Sequence, residues 1–300
     1  MNFLAANRGA ALCMLSLLSA LSAFSLSSCA TRSDDACESV TVSNPAMGYF
    51  VRRLAPANVT VNVMIPQGAD HDTYTPRPSQ MAQLAKSKAY IAYGPLDFEL
   101  TWKDRIISAA PDILWADVSD GVDLISGSHH CHGGHSHCAS GHQSADPHFW
   151  VSPRQASTMS RNVANALKSV FPASSSYVDS ALVNLLSDVA MADSALSEAA
   201  KNRPDQTFVV YHPALSYVAR DYGFRQIVLG SESASPTPRT LALLADSARR
   251  SGARVFFLQP GVTPDRMENL ADEMGTALVA LQPESADWLA TMGVITSALR

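Results

Sequence analysis

Residues 177–202 read YVDSALVNLLSDVAMADSALSEAAKN, and their reading decides the fold. Neither Gly nor Pro interrupts the stretch and its apolar residues recur at helical spacing, so it forms one long helix. At about 1.5 Å of rise per residue such a helix crosses most of a small domain. It is therefore a stiff spine, with separate lobes on either side.

Both sides carry the same rhythm. Before the helix, short runs rich in β-branched residues lie at VTVSN (40–44), VTVNVMI (59–65), AYIAYG (89–94) and DILWADV (112–118). AMGYFVRRLA, PSQMAQLAKS and FELTWKDRIISAA fall between them with helical spacing. After the helix, the runs are TFVVYH (207–212), RQIVLG (225–230), ARVFFLQ (253–259) and TALVALQ (276–282). Helices are expected at ALSYVARDY, PRTLALLADSARRSG, PDRMENLADEMG and from Ala286 onward. Strands alternating with helices predict an α/β fold of two lobes, each a mostly parallel sheet flanked by helices. The expected boundaries are 39–173 for the first lobe, 174–202 for the linking helix and 203–300 for the second lobe.

Open parallel sheets bind ligands at the carboxyl ends of their strands, where loops and helix N-termini converge. Four polar residues follow strands in this way. His71 comes after the run ending at Ile65, and His148 lies in the connection after Val118. His212 ends TFVVYH and Gln282 ends TALVALQ. A cleft between the lobes would gather them. A single histidine is more often structural than a ligand, but three at equivalent strand ends point to metal.

Residues 128–142, SHHCHGGHSHCASGH, hold six of the nine histidines. His129, His130, Cys131, His132, His135, His137, Cys138 and His142 are all of ligand type for zinc and its neighbours. The run is internal and interrupted by Gly-Gly and Cys, unlike an expression tag.

At the N-terminus a short basic start at Arg8 precedes an apolar stretch that ends in Leu26-Ser27-Ser28-Cys29. This resembles a bacterial lipoprotein signal, which implies cleavage after residue 28 and lipid on Cys29. The stretch is short and diluted by Ser, unlike a permanent span. Residues 29–38 read as a flexible tether, so the protein is expected to be exported and held at a membrane surface, periplasmic or cell-exposed. Cys37, Cys131 and Cys138 remain for the folded part, and Cys131 and Cys138 are either one bridge or ligands. A hydrophobic content of 47%, a net charge of −5 and no basic run fit a globular monomer and exclude a nucleic-acid binder.

Taken together, GADHDTYTPRPSQM, GPLDFELTW, DPHFWVSP, YHPALSYVARDYG and ESASPTPRTL resemble, in order, the motifs of the metal-binding proteins of zinc and manganese ABC importers. The resemblance implies metal coordination by His71, His148 and His212, and partnership with a permease and ATPase. It also implies that 128–142 is an accessory loop, because zinc-preferring members carry a His-rich segment there. The family's fourth ligand is an acid where this chain has Gln282, and another acid often stands where this chain has Gln259. The fourth position then falls to water, Gln282 or Glu284. Imidazole-rich ligation suits Zn2+ better than Mn2+, which favours carboxylates, although a role for manganese or iron stays open. Asp70 either orients an imidazole or is a solvated loop acid. A secreted zinc hydrolase is the alternative of a different class; it needs a general base, and Glu99 and Glu284 are not tied to a ligand by spacing.

Overall fold

A computed structural model describes residues 38–126, 145–203, 206–230, 237–260 and 264–300. The signal-like segment, the tether, Cys29, Cys37 and the whole His/Cys-rich run 128–142 lie outside the described residues.

The first lobe is built from β1 (Glu38–Val42), α1 (Pro45–Leu54), β2 (Val59–Val63), α2 (Pro78–Leu84), β3 (Ala89–Ala92), α3 (Asp97–Ala109) and β4 (Leu114–Asp117). Its strands are parallel in the order β2-β1-β3-β4. The second lobe has β5 (Thr207–Val210), α6 (Ser216–Tyr222), β6 (Arg225–Val228), α7 (Pro238–Arg250), β7 (Val255–Leu258), α8 (Pro264–Met274) and β8 (Ala277–Ala280). Its order, β6-β5-β7-β8, repeats that of the first. The spine is α5 (Ser175–Asn202).

Composition explains which strand sits where. β3 (AYIA) and β5 (TFVV) are buried throughout, as parallel strands covered on both faces must be, whereas the edge strands β4 and β8 are exposed at both ends. Several runs extend a residue or two past their strands, where backbone bonds such as Ile65 N–H to Ser43 O at 2.8 Å and Leu281 N–H to Leu258 O at 2.9 Å carry the pairing toward the loops of the site. Helix starts follow local chemistry. Asn44 accepts the Met47 N–H at 3.0 Å with Pro45 in the first turn, and Asp287 accepts the Ala290 N–H at 3.0 Å.

The structure adds α4 (Pro153–Val170), for which the sequence reading singles out no helix. Pro153 opens it and Ala156, Met159, Val163, Ala164 and Leu167 form its buried face. Small residues dilute that stripe, although its spacing is helical. α4 lies along α5, and Met159, Val163 and Leu167 share one core with Val178, Leu185 and Val189.

That core also takes in α9 (Trp288–Leu299). Trp288, Met292, Ile295 and Leu299 pack in it with Phe50 and Val51 of α1, so the chain returns from β8 to the first lobe. A second, smaller core of Val209, Phe256, Met267, Leu270 and Met274 fills the other side of the second sheet. Among the described residues no helix is long and apolar enough to cross a membrane.

Gly94, just past β3, has φ 97°, and a Cβ there would stand 2.6 Å from both carboxylate oxygens of Asp117. Gly94→Ala therefore combines backbone strain with a clash and is expected to cost about 2 kcal/mol. A lowered urea midpoint with an unchanged slope would measure it.

Candidate metal centre

His71, His148 and His212 come together. Their ligand atoms all lie within 4.8 Å of one another, and their ring centroids are 4.9 to 6.0 Å apart. His71 is carried by the loop between β2 and α2, His148 by a single 3-10 turn (His148–Val151) ahead of α4, and His212 by the loop after β5. His71 and His148 are buried and His212 is partly buried.

His148 is fixed from behind. Asp146 Oδ1 accepts both its backbone N–H, at 2.9 Å, and its ring Nδ1, at 2.8 Å. Asp146 is held in turn: its N–H donates to Ile125 O at 2.8 Å and its carbonyl accepts from Tyr217 Oη at 2.6 Å. Nε2 of His148 thus points forward, 3.1 Å from Nε2 of His212. Two imidazoles on one tetrahedral zinc, with Zn–N near 2.05 Å, would have their nitrogens about 3.3 Å apart, so this pair already has the spacing of ligands sharing an ion.

Burial keeps the His148 imidazole below its usual pKa against the opposing pull of Asp146, which favours the neutral ring that a metal needs. For Asp146 burial works upward, but the charge and hydrogen bonds of His148, with help from Ser216, hold the carboxyl below its usual range. The orienting acid is therefore Asp146, which the sequence reading did not single out. Its signal was the Asp-Pro-His order, which lets an Asp side chain bond the backbone two residues on. Asp70, weighed for that role, instead folds its own loop by accepting the Asp72 N–H at 3.0 Å and the Thr73 hydroxyl at 2.9 Å.

The two glutamines have other work. Gln259 accepts the His212 N–H and donates to the His212 carbonyl, both at 2.9 Å. An amide offers both roles and an ionised acid only the acceptor, which fits a glutamine there. Gln282 presents its oxygen to Gln67 Nε2 at 2.5 Å in an exposed contact between the lobes.

Two residues further on, Glu284 stands against the cluster, its Oε1 2.9 Å from His71 Nδ1. That oxygen is buried and has no hydrogen-bond partner among the described residues, so the contact is a close approach and not a formed hydrogen bond. Asp72 Oδ1 lies 3.3 Å from the other nitrogen of His71. The arrangement offers a cation imidazoles from both lobes, with the carboxylates of Glu284 and Asp72 beside them.

Glu99 is elsewhere. It is fully buried between β1 and β3, where it accepts from Ser43, from the Tyr93 N–H at 2.9 Å and from the Gly94 N–H at 2.7 Å. It braces the floor of the first lobe.

The model of the ZnuA family, described as zinc-uptake complex component A periplasmic, matches residues 40–300. The zinc-binding lipoprotein AdcA of Streptococcus pneumoniae is 23% identical over 274 residues, which are 89% of this chain and 54% of that protein. The chain thus spans about half the length of that relative. The high-affinity zinc uptake system protein ZnuA of Bacillus subtilis is 24% identical over 76% of this chain and 73% of its own. A crystal structure of ZnuA superposes with a TM-score of 0.78 at 27% identity, covering 87% of this chain and 97% of that one. A zinc-bound deletion mutant of ZnuA superposes at 0.76 with 26% identity, over 87% and 95% of the two chains.

Proposed function

The chain belongs to the ZnuA family of zinc-uptake complex components, and we propose from this and from its site that it captures zinc outside the cytoplasm and hands it to an ABC importer's permease and ATPase. The relatives are metal-binding transport proteins and not enzymes, which sets the hydrolase reading aside. In this reading His71, His148 and His212 bind the ion, and Glu284, not Gln282, supplies the fourth ligand. The single observation that carries it is the meeting of three imidazoles with a buried carboxylate oxygen 2.9 Å from His71 Nδ1 that forms no hydrogen bond among the described residues. Such an oxygen is costly to bury unless a cation joins it.

A set of three neutral imidazoles and one carboxylate brings a single negative charge. It favours zinc over manganese, which prefers more oxygen ligands. The segment 128–142 acts beside this site as a collector of further zinc, and lipid on Cys29 tethers the chain to its membrane.

Titration of metal-free protein with zinc against a competing chelator tests the reading. One tight site should appear, with zinc bound ahead of manganese. Glu284→Ala should weaken that site by more than about a hundredfold, beyond the range for a loss just outside the ligand set, while Gln282→Ala should stay near the parent. Equal effects of the two substitutions would exclude Glu284 as the ligand.

A further inference from the structure

The turn that carries Glu284 is fastened to the opposite lobe by two buried tryptophans. Trp150 Nε1 donates to the carbonyl of Pro283 at 3.0 Å, and Trp288 Nε1 donates to the carbonyl of Trp150 at 2.7 Å. Trp150 stands two residues after His148, and their rings are 5.2 Å apart. Trp150 also packs on Tyr93, with centroids 4.4 Å apart. Trp288 opens α9 and rests on Phe50 at 5.2 Å. Between these anchors the backbone turns tightly, with the Ser285 N–H on Gln282 O at 3.1 Å and Thr291 Oγ1 on the same carbonyl at 3.3 Å.

We propose that Trp150 and Trp288 are positioning residues of the metal site, a clasp whose two N–H groups set where Glu284 stands relative to His148. The proposal rests on the reading of Glu284 as a ligand. A glutamate side chain has several rotatable bonds, so its carboxylate stays in place only if its backbone does. Pro283 has no N–H, and its carbonyl is the group that ties this turn to Trp150. Trp150 holds that carbonyl and, through two residues of chain, the imidazole that must face the same ion. Trp288 closes the loop by fixing Trp150. Buried indole N–H groups need acceptors, and here both use backbone carbonyls, so losing either donor frees the turn and leaves a carbonyl unpaired in the interior. Ordinary core packing would need only the rings. The hydrogen bonds make the difference, and a phenylalanine removes them while keeping an aromatic ring.

Trp288→Phe and Trp150→Phe are made in the full chain, each alone and combined with Glu284→Ala. Zinc affinity is read by chelator competition, and ligand geometry by the visible spectrum of the cobalt(II)-loaded protein. Each tryptophan variant that folds should bind zinc roughly tenfold more weakly, the scale of losses just outside a ligand set. Its cobalt spectrum should move toward that of Glu284→Ala, and its effect should vanish once Glu284 is absent. If Trp288→Phe does not fold, Trp150→Phe decides. A parent-like affinity and cobalt spectrum would overturn the clasp, as would an equal loss with and without Glu284, which is what packing alone produces. Glu284→Ala by itself separates the two ideas. Parent-like affinity there overturns the ligand assignment, whereas weakened affinity there beside a parent-like Trp288→Phe overturns only the clasp.

Discussion

His148→Ala loses the tight zinc site. The imidazole is buried, its Nδ1 is tied to Asp146 and its Nε2 lies 3.1 Å from that of His212, so no other side chain can take its place. The substitution removes a metal–nitrogen bond and also leaves the Asp146 carboxylate buried without its ring partner. Losses just outside a ligand set run from about tenfold to a hundredfold, and the loss of a ligand should exceed roughly a hundredfold. His71→Ala and His212→Ala should fall in the same range, measured by chelator competition on protein whose circular dichroism matches the parent. If all three variants held zinc as tightly as the parent, the cleft would not be the site. Tight zinc that vanished only on deletion of 128–142 would move the site to that segment.

In the metal-free protein the contribution of Glu99 to stability should fall as pH rises from about 4.5 to about 7, against the opposite contribution of His148, whose depressed pKa favours the folded chain as pH rises. Burial lifts the Glu99 carboxyl to about 7, against the hydrogen bonds from Ser43, Tyr93 and Gly94, with Asp117 adding to the rise. The ordinary value is 4.5, so between these limits the folded chain keeps a proton that the unfolded chain has released. Stability from this group is complete below the lower value and declines until the upper one is passed, by about 3 kcal/mol in all. Glu99→Gln cannot titrate and should flatten that slope, although its NH2 must then face a backbone N–H. Urea unfolding at half-unit steps of pH reads the effect, and an unchanged slope in the variant would place its source elsewhere.

Much of this architecture was legible in the sequence because it is local. Short runs rich in β-branched residues marked the eight strands of the described residues, and an uninterrupted helical stripe marked α5. The three histidines were legible for a topological reason: each follows a strand, and carboxyl ends of parallel strands converge. What escaped depends on contacts between distant residues. The pairing of Gln259 with the backbone of His212 spans 47 positions, and the bond from Trp150 to Pro283 spans 133, so no window of sequence contains either. The choice between Gln282 and Glu284 escaped for a different reason. The end of a β-branched run says where a strand stops, but the loop beyond β8 has no period, and only the fold shows that Gln282 turns to Gln67 while Glu284 turns to His71. α4 was missed through composition, since alanine and serine dilute a stripe whose spacing was helical throughout.

His71, His148, His212 and Glu284 come from four well-separated stretches of the chain, and hydrogen bonds to Asp146 and Gln259 hold His148 and His212 in place. An ion arriving here is a passenger and not a rivet. In small zinc modules the metal assembles the fold and cannot leave without undoing it. Here the loops that bring the four together are closed by sheets and a shared core. In the proposed function the site can therefore be emptied and refilled while the polypeptide stays intact, as a vessel that loads and unloads must allow.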